Sequence, residues 1–211
     1  MLFYLAPMEG ITGYIVRNAY AHYFPYIDKY FTPFIPAAKK MSKKIKRDLA
    51  AENNEQIRLV PQLIGNRADE FLMMIRQLEE LGFTSVNLNF GCPSGTVVSK
   101  RKGAGFLADP KELEMLLEEV LENSPLAVSV KTRVGIKDLD EWEALCGVYA
   151  KFPLEELIIH PRLQNDYYSG TPRMETFARA LEQIHVPLCY NGDICSVEDL
   201  SLIHISEPTR H

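Results

Sequence analysis

Residues 57–89, IRLVPQLIGNRADEFLMMIRQLEELGFTSVNLN, carry the signals of a strand, a helix and a second strand in direct succession. The apolar, β-branched runs at 57–64 and 85–89 predict the two strands. Between them Asn66 is expected to cap a helix whose apolar residues recur every three or four positions until Gly82. This succession predicts βα units around a parallel sheet.

The same alternation continues along the rest of the chain. Further strand candidates bring the total to seven, at residues 2–6, 26–34, 126–131, 154–160 and 187–191. Further helices are expected at Asp109 with Pro110, around Trp142, after Pro172 and after Ser196. A (β/α)₈ barrel needs an eighth strand and typically ~250 residues. We therefore expect an α/β fold: a TIM barrel truncated after about strand seven, occupying residues 1–199.

Composition narrows the class of protein. The 211 residues are 46% hydrophobic and 24% charged, which is typical of one globular domain. The net charge of −5 means that a nucleic-acid partner would need a local basic patch. Neither a signal peptide nor a membrane span is indicated, so we expect a cytoplasmic monomer. The four cysteines lack CxxC spacing, which argues against a metal site, and residues 200–211 lack amphipathic pattern and are expected to be non-native.

Polar residues stand where the predicted strands end, which is where barrel enzymes place their sites. Gln62, Lys131 and His160 supply an amide, a cation and an imidazole, a set that suits a planar ligand bearing negative charge. Asn191-Gly192-Asp193 supplies backbone N–H groups beside a helix start, which favours phosphate. Together these segments predict a phosphorylated planar cofactor.

Cys92 lies in a Gly-Cys-Pro turn just after a predicted strand. A thiol in such a place can donate or accept a proton. The basic, glycine-bearing loop at 99–105 follows it and could fold over the site. The alternative interpretation is a small buried hydrophobic residue, which is the usual environment of a lone cysteine.

These segments, taken in order, resemble the tRNA-dihydrouridine synthase family. The segments that carry the resemblance are APMEGIT (6–12), QLIG (62–65), NLNFGCP (87–93), KGAGFL (102–107), VKTRVG (130–135), HPR (160–162) and NGD (191–193). The family's enzymes consist of an FMN-binding barrel and a small helical tRNA-binding domain. The resemblance implies that NADPH reduces FMN, that hydride passes to C6 of a tRNA uridine, and that Cys92 protonates C5.

The resemblance also implies the roles of other residues. Pro7, Met8, Glu9, Gln62, Lys131 and His160 would contact the flavin, with Lys131 near its N1 and O2 edge, while Asn191, Gly192 and Asp193 would hold its phosphate end. Asn89 would help to place the uracil or the flavin edge. Two departures stand out: Gly13 replaces a commonly acidic residue, and the Gly-Arg phosphate clamp and C-terminal helical domain are missing from the sequence.

Residues 39–47 concentrate positive charge. They contain Lys39, Lys40, Lys43, Lys44, Lys46 and Arg47. We expect Lys39, Lys40, Lys43 and Lys44 to contact tRNA phosphates, although such a run can equally form a solvated helix face. Nearby aromatic residues could stack on an extruded uridine: Tyr30, Phe31, Phe34, Tyr167 and Tyr168.

Alternatives remain open at this point. A small-molecule FMN barrel related to dihydroorotate dehydrogenase would also place a proton-transferring residue on an Asn-rich loop. Lys131 could form a salt bridge or act as a Schiff-base lysine, and His160 could be a hydrogen-bonded core histidine. The chain could also be an inactive truncated fragment.

Overall fold

A computed structural model describes residues 1–200. The strands are β1 (Tyr4–Leu5), β2 (Lys29–Phe31), β3 (Ile35–Pro36), β4 (Leu59–Val60), β5 (Gln62–Ile64), β6 (Ser85–Phe90), β7 (Ala127–Arg133), β8 (Leu157–His160) and β9 (Leu188–Tyr190). The helices are α1 (Tyr14–Tyr23), α2 (Lys43–Leu49), α3 (Ala68–Glu80), α4 (Gly95–Val98), α5 (Pro110–Asn123), α6 (Glu141–Tyr149) and α7 (Met174–Gln183). Residues 201–211, most of the stretch expected to be non-native, lie outside the described residues.

All strand pairs are parallel and follow chain order, as the alternation predicted. One sheet has the order β1-β2-β4, and the other has the order β3-β5-β6-β7-β8-β9. The pairs β2 with β4 and β3 with β5 show that residues 29–36 and 59–64 are two barrel strands, each interrupted once. At the interruption Thr32 Oγ1 accepts the Gln62 N–H at 2.9 Å, so a side chain replaces a backbone acceptor.

The result is a partial (β/α) barrel with seven strand positions. Within residues 1–200, β1 and β9 are the first and last strands of the barrel and do not pair with each other, so the barrel is open between them. The inward side between them holds a small apolar cluster of Phe31, Val60 and Ile158. Among the described helices, none has the length and hydropathy of a membrane span.

Helix packing follows the predicted apolar faces. Helix α3 buries Phe71, Met74 and Leu78 against the sheet, and Asp109 caps α5 by accepting the N–H groups of Lys111 and Glu112, both at 3.1 Å. The sheet and the helices over it share one large core.

The predicted cap at Asn66 is wrong. The N-cap of α3 is Arg67, which makes no side-chain capping bond. The Asn66 amide instead donates to the Lys100 carbonyl at 3.1 Å, because the loop after α4 lies beside it.

Candidate active site

The turn Gly91-Cys92-Pro93, which follows β6, has all of its backbone donors and acceptors paired. Asn89 Oδ1 accepts the N–H groups of Gly91 at 3.0 Å and of Cys92 at 2.9 Å. Three groups from elsewhere in the chain bind the turn's carbonyls: Arg133 Nε binds Gly91 O at 2.9 Å, the Ala104 N–H binds Cys92 O at 3.0 Å and Gln164 Nε2 binds Pro93 O at 3.2 Å. The turn is therefore held from every side, while the Cys92 thiol remains free and half-buried.

Gly103 permits the close approach of the next loop. Its φ is +54°, and a Cβ placed there would lie 2.8 Å from the Cys92 carbonyl oxygen and 3.0 Å from Cys92 Cβ. No side chain fits in that space. The glycine in the predicted basic loop therefore serves to seat residues 103–104 against the cysteine turn.

Gln62 and Asn89 form a buried amide chain rather than two separate ligand contacts. Asn89 Nδ2 donates to Gln62 Oε1 at 2.7 Å, and Gln62 Nε2 donates to Asn87 Oδ1 at 2.8 Å. Asn87 in turn donates to Ser129 Oγ at 2.9 Å. Gln62 has 0% exposed surface, so the structure does not bring it to the wall of a cavity. Its amide orients Asn89, and Asn89 orients the turn that carries Cys92.

Lys131 borders a cavity of about 480 Å³ inside the open barrel, which we call the barrel cavity. The cavity is also lined by Pro7, Asn191 and Cys189. Among residues 1–200 the Lys131 ammonium group has no salt-bridge partner. Burial, and then the positive charge of Arg133, lower the pKa of Lys131 to about 8. The structure thus brings Pro7 and Asn191 to the same cavity as the Lys131 ammonium group, which has no partner of opposite charge among the described residues.

His160 and Asp193 meet at Arg162, which the sequence reasoning had not assigned. Arg162 donates to both Asp193 carboxylate oxygens, at 2.9 and 2.6 Å, and lies 3.2 Å from His160 Nε2. Because arginine has no acceptor, Nε2 must accept and the ring proton belongs on Nδ1. Burial, together with the positive charges of Lys131, Arg133 and Arg162, lowers the pKa of His160 to about 3, so the ring is neutral near pH 7.

Asp193 is committed to this ion pair, and Arg162 holds the pKa of its carboxyl below the usual range. The neighbouring Gly192 packs directly against Tyr190, and a Cβ there would collide with the Tyr190 hydroxyl unless that side chain moved. The segment 191–193 is thus fixed near Arg162, a guanidinium that the HPR sequence could have revealed.

Arg133 is a second residue that the sequence reasoning missed. It lies two positions after Lys131 on the same strand, and residues two apart share one face of a strand, which was the available signal. Besides the Gly91 carbonyl it binds Leu163 O at 2.8 Å, and its guanidinium lies 5.4 Å from the Tyr168 ring centroid. Among the aromatic residues predicted to stack, Tyr167 and Tyr168 are exposed, Phe34 is half-buried, and Tyr30 and Phe31 are buried.

Met8, Glu9 and the basic segment lie outside the barrel cavity. Met8 and Glu9 are exposed, and the structure does not place them in the barrel cavity. Glu9 and Lys44 line a second cavity of about 560 Å³ between α1 and α2, which we call the outer groove. Lys39, Lys40, Lys43 and Lys44 are all exposed. Within the described part of the chain they form no salt bridges. The same part contains no group of three metal-ligating side chains.

Comparison with known families finds one match that covers nearly the whole chain. A match to the dihydrouridine synthase family (Dus) spans residues 4–207. The chain belongs to the dihydrouridine synthase family. The match spans all of the strands, so the resemblance of the strand-end segments to this family is confirmed.

Several relatives carry names of this family. A tRNA-dihydrouridine(16) synthase of Pseudomonas syringae pv. tomato is 29% identical over 206 residues, covering 92% of this chain and 64% of the relative. The one from Pseudomonas putida is 31% identical, covering 92% and 63%. A probable tRNA-dihydrouridine synthase of Staphylococcus epidermidis is 29% identical, covering 78% and 51%. The chain therefore spans about half to two thirds of the length of these relatives.

Two solved structures share the fold. A variant of NCR from Zymomonas mobilis has a TM-score of 0.61 at 11% identity, covering 95% of this chain and 79% of that one. A GH18 chitinase from Pseudoalteromonas aurantia has a TM-score of 0.53 at 6% identity, covering 93% and 81%. At these identities the similarity concerns the fold alone.

Proposed function

We propose that residues 1–199 form the FMN-binding catalytic domain of an enzyme that reduces uridine to 5,6-dihydrouridine in tRNA, with NADPH as the reductant and the protein acting as a monomer. The family and the names of the relatives support dihydrouridine formation. The observation that carries the proposal is the geometry around Cys92. A turn with all backbone groups paired carries a free thiol, and this thiol interacts electrostatically with Lys131, the cation at the wall of the barrel cavity.

The barrel cavity suits a flavin because positive charge lies at one part of its wall, where the anionic edge of the flavin ring would bind. Lys131, mostly protonated at neutral pH, provides positive charge at the cavity wall where an anionic ring edge would lie. His160 lies close enough to Lys131 for that charge to help lower its pKa, and its neutral ring can donate from Nδ1. Pro7 and Asn191 border the same cavity. We also assign to the cofactor Met8, Glu9, Gly192 and Asp193, which the family resemblance implies and which do not line the cavity, with Arg162 balancing the carboxylate of Asp193 beside the phosphate end. When bound, FMN would supply the hydride for C6 of the uracil.

Cys92 would supply the proton. A general acid must be held within hydrogen-bonding reach of the atom that it protonates, and the contribution of such a group is about 10²–10⁴-fold. Asn89, through its two bonds to the turn, restricts where the Cys92 thiol can point. Gln62 contributes by holding Asn89. In this proposal Gln62 and Asn89 act as positioning residues that hold the turn carrying Cys92, and Asn89 would also help to place the uracil or the flavin edge.

The basic segment would bind tRNA phosphates. Cations in the first turn of a helix are disfavoured by the helix dipole, so Lys43 and Lys44 do not serve to stabilise α2. Within residues 1–200 these two lysines form no salt bridges, which leaves their charges available to phosphates. The exposed ring of Tyr168, next to His160 and Arg133, offers a surface on which an extruded uracil could stack.

A product assay tests this function. The full-length protein containing this chain is incubated with FMN, NADPH and an unmodified tRNA transcript, and nucleosides are analysed by mass spectrometry. We expect dihydrouridine in the tRNA and no conversion of free orotate. Reduction of orotate instead of tRNA would support the small-molecule alternative, and the absence of either product with FMN bound would overturn the assignment.

A further inference from the structure

The helix that carries the proposed RNA-binding lysines also carries the capping group of a different helix. Gly13 is the N-cap of α1 and has no side chain to accept a backbone N–H. Asp48, near the end of α2, takes this role: its Oδ1 accepts the Tyr14 N–H at 2.7 Å. Carboxylates at helix N-termini are stabilising because they satisfy free N–H groups and oppose the helix dipole.

The same carboxylate balances a fully buried cation. Arg17 has 0% exposed surface, and its NH1 lies 3.1 Å from Asp48 Oδ2. Its NH2 donates to the Asp48 carbonyl at 2.9 Å and to Asn54 Oδ1 at 3.0 Å. In residues 1–200, Asp48 is the salt-bridge partner found for Arg17. Removing the Asp48 carboxylate would therefore leave a buried charge without compensation.

Arg17 connects this cluster to the first loop. Its NH1 donates to the Thr12 carbonyl at 2.9 Å. Thr12 Oγ1 accepts the Met8 N–H at 2.8 Å and donates to Met8 O at 3.1 Å. A continuous series of short polar contacts thus runs from Asp48 on the basic helix to Met8, next to Pro7 at the barrel cavity.

We propose that Asp48 is a positioning residue that couples tRNA binding on α2 to flavin binding at the first loop. The inference rests on the proposed function, because it requires both ligands. When bound tRNA phosphates hold α2 in place, Asp48 in turn restrains α1 and the loop at residues 6–12. This restraint lowers the entropic cost of ordering that loop around the cofactor. Such coupling is reciprocal: each ligand tightens the other by the same factor.

Flavin titrations measure the coupling. FMN fluorescence quenching gives the Kd for FMN with and without a saturating unmodified tRNA transcript. For the wild-type full-length protein we expect tRNA to tighten FMN binding by at least about fivefold, the lower end of typical couplings. In Asp48→Ala we expect a ratio below about twofold. Asp48→Asn keeps an acceptor for the Tyr14 N–H and loses the charge, so its ratio should fall between the two.

A double variant that moves the capping carboxylate from residue 48 to residue 13 distinguishes a loss of coupling from a loss of stability. Gly13 has φ −65° and ψ 173°, which any residue can adopt, and a Cβ there would meet only Asp48 Oδ1, at 3.3 Å. The double variant Gly13→Asp/Asp48→Ala therefore has room for a carboxylate that caps α1 and faces Arg17 from α1 itself. We expect its Tm to recover most of the loss seen in Asp48→Ala, while the tRNA effect on FMN binding stays below about twofold.

Each outcome decides between the accounts. Recovery of both Tm and coupling in the double variant would show that Asp48 is only a cap and would overturn the proposal. Wild-type binding of FMN and tRNA without mutual effect would also overturn it, while leaving the proposed function standing. A wild-type protein that binds neither ligand would overturn the proposed function, and this inference with it.

Discussion

The Cys92 turn and the basic segment at residues 39–47 differ in how their polar groups are used. In the turn, every backbone donor and acceptor has a partner within the protein. In the basic segment, six exposed cations form no salt bridge with described residues. This difference is what the proposed function requires: a rigid turn to position a reacting group, and unpaired charges to bind a charged, extended partner.

The largest expected effect comes from removing the group that the turn presents. Cys92→Ala should lower the single-turnover rate of uridine reduction by about 10²–10⁴-fold, the usual contribution of a general acid. Binding of FMN and the Tm should stay close to wild type, because the backbone bonds of the turn do not involve the thiol. Quenched-flow measurements of dihydrouridine formation check the rate. An unchanged rate would remove Cys92 from the mechanism.

Loosening the turn should have the next largest effect. Asn89→Ala leaves the N–H groups of Gly91 and Cys92 without their acceptor and should lower the free energy of unfolding by roughly 3 kcal/mol, since each unsatisfied buried group costs about 1–3 kcal/mol. Urea unfolding measures the loss. Asn66→Ala is the matched control, because its exposed amide makes one bond to Lys100 and should cost under about 1 kcal/mol. Equal losses would contradict the role given to Asn89.

Acid should weaken the protein through His160. Its folded pKa of about 3 lies below the ordinary 6.5, so the unfolded chain binds the proton more readily and stability falls as the pH drops below about 6.5. The loss is about 1.4 kcal/mol per pH unit, or roughly 2–3 kcal/mol between pH 6.5 and 4.5. In His160→Gln this part of the loss should disappear. The exposed His185 provides the control, and His185→Gln should retain the wild-type pH dependence.

The smallest effect on the folded protein should come from the basic segment. Replacing Lys39, Lys40, Lys43 and Lys44 with Gln removes four exposed charges and should change the free energy of unfolding by less than about 0.5 kcal/mol. The plot of log affinity for tRNA against log salt should become shallower by about 3, as four lost phosphate contacts require. A wild-type slope in the variant would instead identify the segment as a solvated surface.

Periodicity and strand-end position were enough to predict the architecture. All seven predicted strands are present, and Asp109 and Pro110 begin α5 as expected, because these signals are local. Two details were not predictable: the bond of Asn66 to the Lys100 carbonyl in place of a helix cap, and the strand interruption at residues 32–34. Their conformations depend on the Lys100 carbonyl and on the Thr32 hydroxyl, which bonds the Gln62 N–H.

For the candidate site, the sequence predicted which residues belong to it but did not predict which of them contact each other. Lys131, Pro7 and Asn191 do share a cavity. The sequence could not reveal that Gln62 is buried against Asn89, or that Asp193 is paired with Arg162, because these partners are far apart in the chain. It also could not show that Asp48 takes the capping role at the position where Gly13 departs from the family's acidic residue.

The central claim is that the barrel cavity bordered by Lys131 holds a flavin, and the visible absorption spectrum tests it most directly. The full-length protein is mixed with FMN, dialysed, and measured beside Lys131→Met, which removes the unpaired cation from the cavity wall. We predict a retained flavin band at about 450 nm in wild type and a clearly weaker one in the variant. A folded wild-type protein that emerges colourless would contradict the account.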